Sequence, residues 1–113
     1  MERCTKAVIY KDNLEYNLKQ IRKYVKKDVK LCVAVKADGY GHNAVLTAQI
    51  AQEVGASFVA VATVEEGIEL RDNGITCGIL LLSLCTPQEM PALFEFPVRC
   101  PPDPVDGFDA EVA

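Results

Sequence analysis

Residues 58–82 read FVAVATVEEGIELRDNGITCGILLL, two apolar runs on either side of a helical stretch. Phe58–Ala62 and Ile79–Leu82 are short and apolar on both faces, the pattern of parallel strands covered by helices. Between them the sequence predicts a helix over Val64–Asp72. Glu65 and Glu66 fall in its first turn, where carboxylates complement the helix dipole, and Asn73-Gly74 stops it. Strand, helix of about ten residues and strand in succession mean a βαβ unit and a parallel sheet.

The same alternation extends outward. Lys30–Ala37 (KLCVAVKA) is a strand candidate, broken by Asp38-Gly39-Tyr40-Gly41. Asn43 is placed to cap a helix over Ala44–Val54, which Gly55 ends. Further upstream Leu14, Leu18, Ile21 and Val25 recur at helical spacing, which predicts an amphipathic helix with Asp12 at its N-cap. Ala7–Tyr10 reads as a short strand. Downstream, Pro87-Gln88-Glu89 opens a helix to about Phe94. The expectation is an α/β fold with three adjacent parallel strands. Arg99–Ala113 (RCPPDPVDGFDAEVA) has neither periodicity and is expected to be an irregular tail behind a domain spanning 1–98.

Composition narrows the classes. A chain of 113 residues is sized for one domain. No apolar run approaches the ~20 residues of a membrane span, and the first residues lack a signal-peptide pattern, so a cytoplasmic location without membrane contact is expected. Five Cys without a CxxC pair, and the single His42, do not make a zinc set; no metal is expected, and the cysteines read as thiols of a reducing compartment. Ten of the twelve Lys/Arg lie in the first 36 residues. Lys19, Arg22, Lys23, Lys26 and Lys27 share one helix without aromatics or Gly/Arg-rich loops beside them. That is a solvated helix face rather than a nucleic-acid surface.

The chemistry concentrates in Val33–Asn43, VAVKADGYGHN. Alternation puts Leu31, Val33 and Val35 on one side of the strand and Cys32, Ala34 and Lys36 on the other. Lys36 then closes the strand at its C-terminal edge, where α/β folds place their sites. Desolvation there would favour the neutral amine that Schiff-base chemistry needs. Gly39 and Gly41 let the backbone approach a ligand, Tyr40 offers a phenol to a phosphate, and the helix start that follows favours an anion. Each feature has an ordinary reading as well. A Lys at a strand end snorkels to solvent, Gly-Tyr-Gly and Asp38 make turns, and His42 bonds locally.

AVKADGYGHNA (residues 34–44) closely resembles the cofactor-attachment segment of the alanine racemase family, usually AVVKA, then Asn or Asp, then Ala or Gly, then YGHG. DNLEYNLKQIRK resembles the family's first helix, EVGASFVAVATVEEGIELRDNGI its second strand and third helix, and GILLLS its next strand. Single-domain pyridoxal-phosphate-binding barrels read more like AVSKT at the lysine. The resemblance covers about Thr5–Val98, with Asn43 and Ser83 standing where the family usually has Gly. It implies the N-terminal part of a TIM-type (β/α)8 barrel, three to four β/α units of it, with pyridoxal 5'-phosphate as cofactor. Lys36 would bind it and act as the base on one side of the substrate Cα; Tyr40 would meet its phosphate and Leu82 would lie beside it. It implies further that the whole enzyme is a homodimer interconverting L- and D-alanine for cell-wall precursors, with a second base from a C-terminal domain. A chain with three to four units is then expected to be inactive alone. The alternative is a non-catalytic module that binds pyridoxal phosphate.

Overall fold

In a computed structural model of the chain, which describes residues 5–95, the alternation becomes a three-stranded sheet with helices. The order is α1 (Lys11–Tyr24), β1 (Cys32–Ala34), α2 (Lys36–Tyr40), α3 (Ala44–Val54), β2 (Phe58–Val61), α4 (Val64–Asp72), β3 (Gly78–Leu81) and α5 (Met90–Glu95). β1 pairs with β2 and β2 with β3, both parallel, as expected. This is the α/β fold with three adjacent parallel strands that the sequence implied. The tail Arg99–Ala113 lies outside the described residues.

The register explains the core. Val33, Val59 and Ile79 form one row across the sheet; Val59 and Ile79 have no exposed surface. Val35, Val61 and Leu81, two residues further on, are equally buried. The helices seal this face with Leu18, Ala48, Ile50, Ala51, Val64 and Leu70. Each large aliphatic side chain so buried contributes about 1.5–3 kcal/mol. The opposite face carries Cys32 and Ala34, both exposed, with Phe58 and Leu80 half-buried. Gly78 lies under the Phe58 ring, which a Cβ there would strike. The Lys30 ammonium stands 6.0 Å from the same ring. β1 and β3 are the two edges of this sheet.

Helix ends follow local chemistry. The Asn43 side chain accepts from the Leu46 amide, and Gly55, at φ +102°, closes α3 in the left-handed conformation. Thr63 and Glu66 form a capping box at α4. Four expectations are corrected. Ala7–Tyr10 is not a strand: among the described residues no strand pairs with it, and Val8 and Tyr10 are 65% and 68% exposed. Tyr10, not Asp12, is the N-cap of α1, without a side-chain cap bond; Asp12 lies in the first turn. The first strand spans only Cys32–Ala34, because the chain turns away at Lys36. At the other end, Thr86–Glu89 form a turn before α5 begins at Met90.

On α1, Lys19 pairs with Glu15 at 3.1 Å, and the Arg22 guanidinium donates to the Lys26 and Val29 carbonyls. Among the described residues Cys32 and Cys77 are free thiols, the Cys85 thiol donates to the Met90 sulfur at 3.3 Å, no three His, Cys, Asp or Glu cluster as metal ligands, and no helix is long and apolar enough to cross a membrane.

Candidate active site at the end of the first strand

The Val35 amide donates to the Ala60 carbonyl at 2.8 Å, the last bond that ties this part of the chain to β2. Lys36 follows. It is half-buried, and among the described residues its amine has no hydrogen-bond or ion-pair partner.

The chain then enters a left-handed turn. Ala37, Asp38, Gly39 and Tyr40 have φ of +52°, +54°, +64° and +55°. For residues with a Cβ this conformation costs about 1–2 kcal/mol each, so the turn must be held. Gly39 donates to the Val35 carbonyl at 2.8 Å, Gly41 to Asp38 at 3.2 Å and His42 to Gly39 at 3.1 Å. The Asp38 carboxylate accepts from the Ala44 amide at 3.0 Å, and the Thr47 hydroxyl donates to the His42 carbonyl at 3.3 Å. Gly39 is buried; a Cβ there would lie 3.3 Å from the Thr47 oxygen. Asn43, at φ +67°, also takes a conformation that favours Gly, and Asn tolerates positive φ better than most residues.

The remaining bond comes from α4. Glu66 accepts through Oε1 from the Ala62 and Thr63 amides, at 2.8 and 3.0 Å, and through Oε2 from the Ala37 amide at 2.8 Å. Its carboxylate therefore joins the end of β2 to the residue after Lys36. The sequence signal for the first half of this role is the capping-box spacing of Thr63 and Glu66; nothing local signals the second half.

Of the other expected residues, Tyr40 lies on the turn and is 59% exposed. Leu82, one residue past β3, is 47% exposed. Lys36, Ala62 and Leu82 each follow the C-terminal end of a strand, beyond the last paired residues. The Ser83 hydroxyl donates to the Ala62 carbonyl at 2.7 Å, which holds this rim together. His42 lies elsewhere, lining an open groove with Val8, Ile9, Tyr10, Asn13, Leu14 and Asn17. The start of α3 does not offer the anion site expected from the sequence. Asp38 and Asn43 already occupy its Ala44 and Leu46 amides, and the Asp38 carboxylate puts a negative charge there.

An unpartnered amine at a strand end, a phenol on the next turn and an apolar wall suit a planar aromatic aldehyde with an anionic arm.

Residues 9–100 match the family described as alanine racemase, N-terminal domain. An alanine racemase of Treponema denticola is 48% identical over 97 residues, which are 86% of this chain and 26% of that protein. Among solved structures, an alanine racemase of Clostridium difficile 630 superposes with a TM-score of 0.75 at 38% identity, covering 79% of this chain and 24% of that one. One from E. faecalis gives 0.78 at 33% identity, over 81% and 25%. The chain spans about a quarter of the length of these relatives.

Proposed function

We propose a function from the premise that this chain belongs to the alanine racemase N-terminal domain family: it is the lysine-bearing part of a pyridoxal-phosphate-dependent enzyme that interconverts L- and D-alanine, supplying cell-wall precursors. The single observation that carries the reading is Lys36, half-buried and unpartnered at the C-terminal edge of a parallel sheet, within the segment on which the family resemblance rests.

Lys36 would hold the cofactor's carbonyl carbon, and its amine would move a proton on one face of the substrate Cα. Tyr40 would donate its phenol to the phosphate. Leu82 would flank the ring and exclude water from one side. Pyridoxal phosphate, when bound, supplies the electron sink for the charge that develops when the Cα proton leaves.

Racemisation needs a proton taken from one face and returned to the other. The proposal gives this chain one such group, so residues 1–113 alone would exchange the α-proton without racemising. It also places the protein in the cytoplasm, away from membranes and nucleic acid, with a homodimer as the whole enzyme. Residues 1–98 would form the partial barrel domain and 99–113 an irregular tail.

Incubation with pyridoxal phosphate, borohydride reduction and peptide mapping tests the reading. Label should concentrate on Lys36 and vanish in Lys36→Ala. Label spread over Lys19, Lys23, Lys26 and Lys27 would overturn it. Racemisation of L-alanine by this chain well above free cofactor would overturn the part about inactivity.

A further inference from the structure

The Glu66 carboxylate does more than cap a helix. A capping box is complete when the N3 carboxylate accepts from the N-cap amide and the N-cap side chain accepts in return. Here Oε1 to the Thr63 amide and the Glu66 amide to Thr63 Oγ1 fulfil that. The second oxygen is free of capping duty, and it accepts from the Ala37 amide across 29 residues of sequence. That amide belongs to the peptide plane shared with the Lys36 carbonyl. Fixing it fixes ψ of Lys36, and with it the direction in which the lysine leaves the sheet edge. It also holds the first of the left-handed residues, a conformation that an Ala does not keep unaided. Among the described residues nothing else bonds this amide.

We infer that Glu66 is a positioning residue for Lys36: its carboxylate clamps the peptide after the lysine to the end of β2, presenting the amine to its carbonyl partner. This rests on the reading of Lys36 as the cofactor lysine. Glu66 itself touches no reacting atom and acts through the backbone.

Glu66→Gln tests it, because the amide keeps the volume and one acceptor but sets a donor against one of the donors now satisfied. Two readouts on the 113-residue chain are needed. One is the share of borohydride-fixed pyridoxyl label on Lys36; the other is hydrogen exchange at the Ala37 amide, with the Leu82 amide, bonded to Val61, as the reference for the sheet. With Glu66→Gln, Lys36 label should fall and Ala37 exchange should rise, each by about tenfold, the scale of one lost charge-assisted bond. Leu82 exchange should not follow.

Thr63→Ala is the control for a merely structural role. It breaks the same capping box but leaves the bond to Ala37, so both readouts should stay within about twofold of the unsubstituted chain, as for an independent site. If Thr63→Ala lowers Lys36 label as much as Glu66→Gln does, the inference is wrong and Glu66 is a cap. If Glu66→Gln leaves label on Lys36 unchanged, or Ala37 is unprotected in the unsubstituted chain, the inference fails while the reading of Lys36 stands. If the unsubstituted chain is labelled indiscriminately, both fail together.

Discussion

The connection after β1 and the connection after β2 leave the same edge of the same sheet and are built on opposite principles. From β2 the chain needs only Ala62 and Thr63 before α4 begins, and both amides there are satisfied by one nearby side chain. From β1 it takes nine residues to reach α3, with positive φ at Ala37, Asp38, Gly39, Tyr40, Gly41 and Asn43. The short connection is cheap because its residues prefer what they do. The long one is costly, and the candidate site sits on it. Strain held in place by surrounding structure is a common feature of functional sites; here the unstrained connection lends the strained one its Glu66 carboxylate.

The largest expected effect comes from filling the strained connection. Gly39→Val adds a branched side chain at φ +64°, against Thr47 and Ala44. A loss of roughly 2–5 kcal/mol is expected from strain plus overpacking, read as a drop in the urea midpoint. A loss below about 1 kcal/mol would show that the turn yields easily, and the contrast would collapse. Thr63→Ala, on the relaxed side, should cost about 1 kcal/mol, the ordinary value of a cap. Asn43→Gly should invert the sign. Gly gives up the bond to the Leu46 amide, worth a few tenths of a kcal/mol, but removes strain at φ +67°, so a net gain of about 0.5 kcal/mol is expected. Destabilisation by this change would mean that Asn43 is not strained.

Titration gives a smaller effect, outside both connections. Desolvation, and then the neighbouring Cys77, raise the Cys32 thiol; burial raises Cys77, partly countered by Arg71. The folded chain therefore holds these protons more tightly than the unfolded one. Their contribution to stability is complete below the ordinary thiol range near about 8.5 and is lost as pH climbs through the raised values. Stability measured by urea should fall on that limb, and Cys32→Ser together with Cys77→Ser should flatten it. The smallest effect lies at acid pH. The Thr86 amide and hydroxyl hold the Glu89 carboxyl below its usual value. The turn before α5 should loosen only as pH drops through that lowered value, which amide exchange at Thr86 would follow.

The same contrast explains how much was legible in the sequence. α3 and α4 coincide with the spans read from it, because Asn43 and Gly55, Thr63 and Asn73 write their boundaries in neighbouring residues. The parallel order of three strands followed from alternation alone. Lys36, Tyr40 and Leu82 were named from residue pattern and family resemblance. What escaped was non-local or lacked a partner. Ala7–Tyr10 has a strand's composition but, among the described residues, no neighbour to pair with. The strand expected to reach Ala37 stops at Ala34, since a left-handed turn depends on an acceptor 29 residues away. The helix start expected to attract an anion is closed by Asp38, a residue that reads simply as a turn former.

The 29-residue span of the Glu66 bond also sets an order of events in time. The left-handed turn is uphill by itself, and one of its holding bonds appears only after β2 is paired and α4 has formed beside it. Closing that loop costs chain entropy before the bond returns anything. The lysine segment should therefore be among the last parts of the chain to order and the first to come undone. Conservative substitutions at Ala37 and Asp38 should alter the unfolding rate and leave the folding rate nearly unchanged, with φ-values near zero, whereas Val59 and Ile79 should give larger ones.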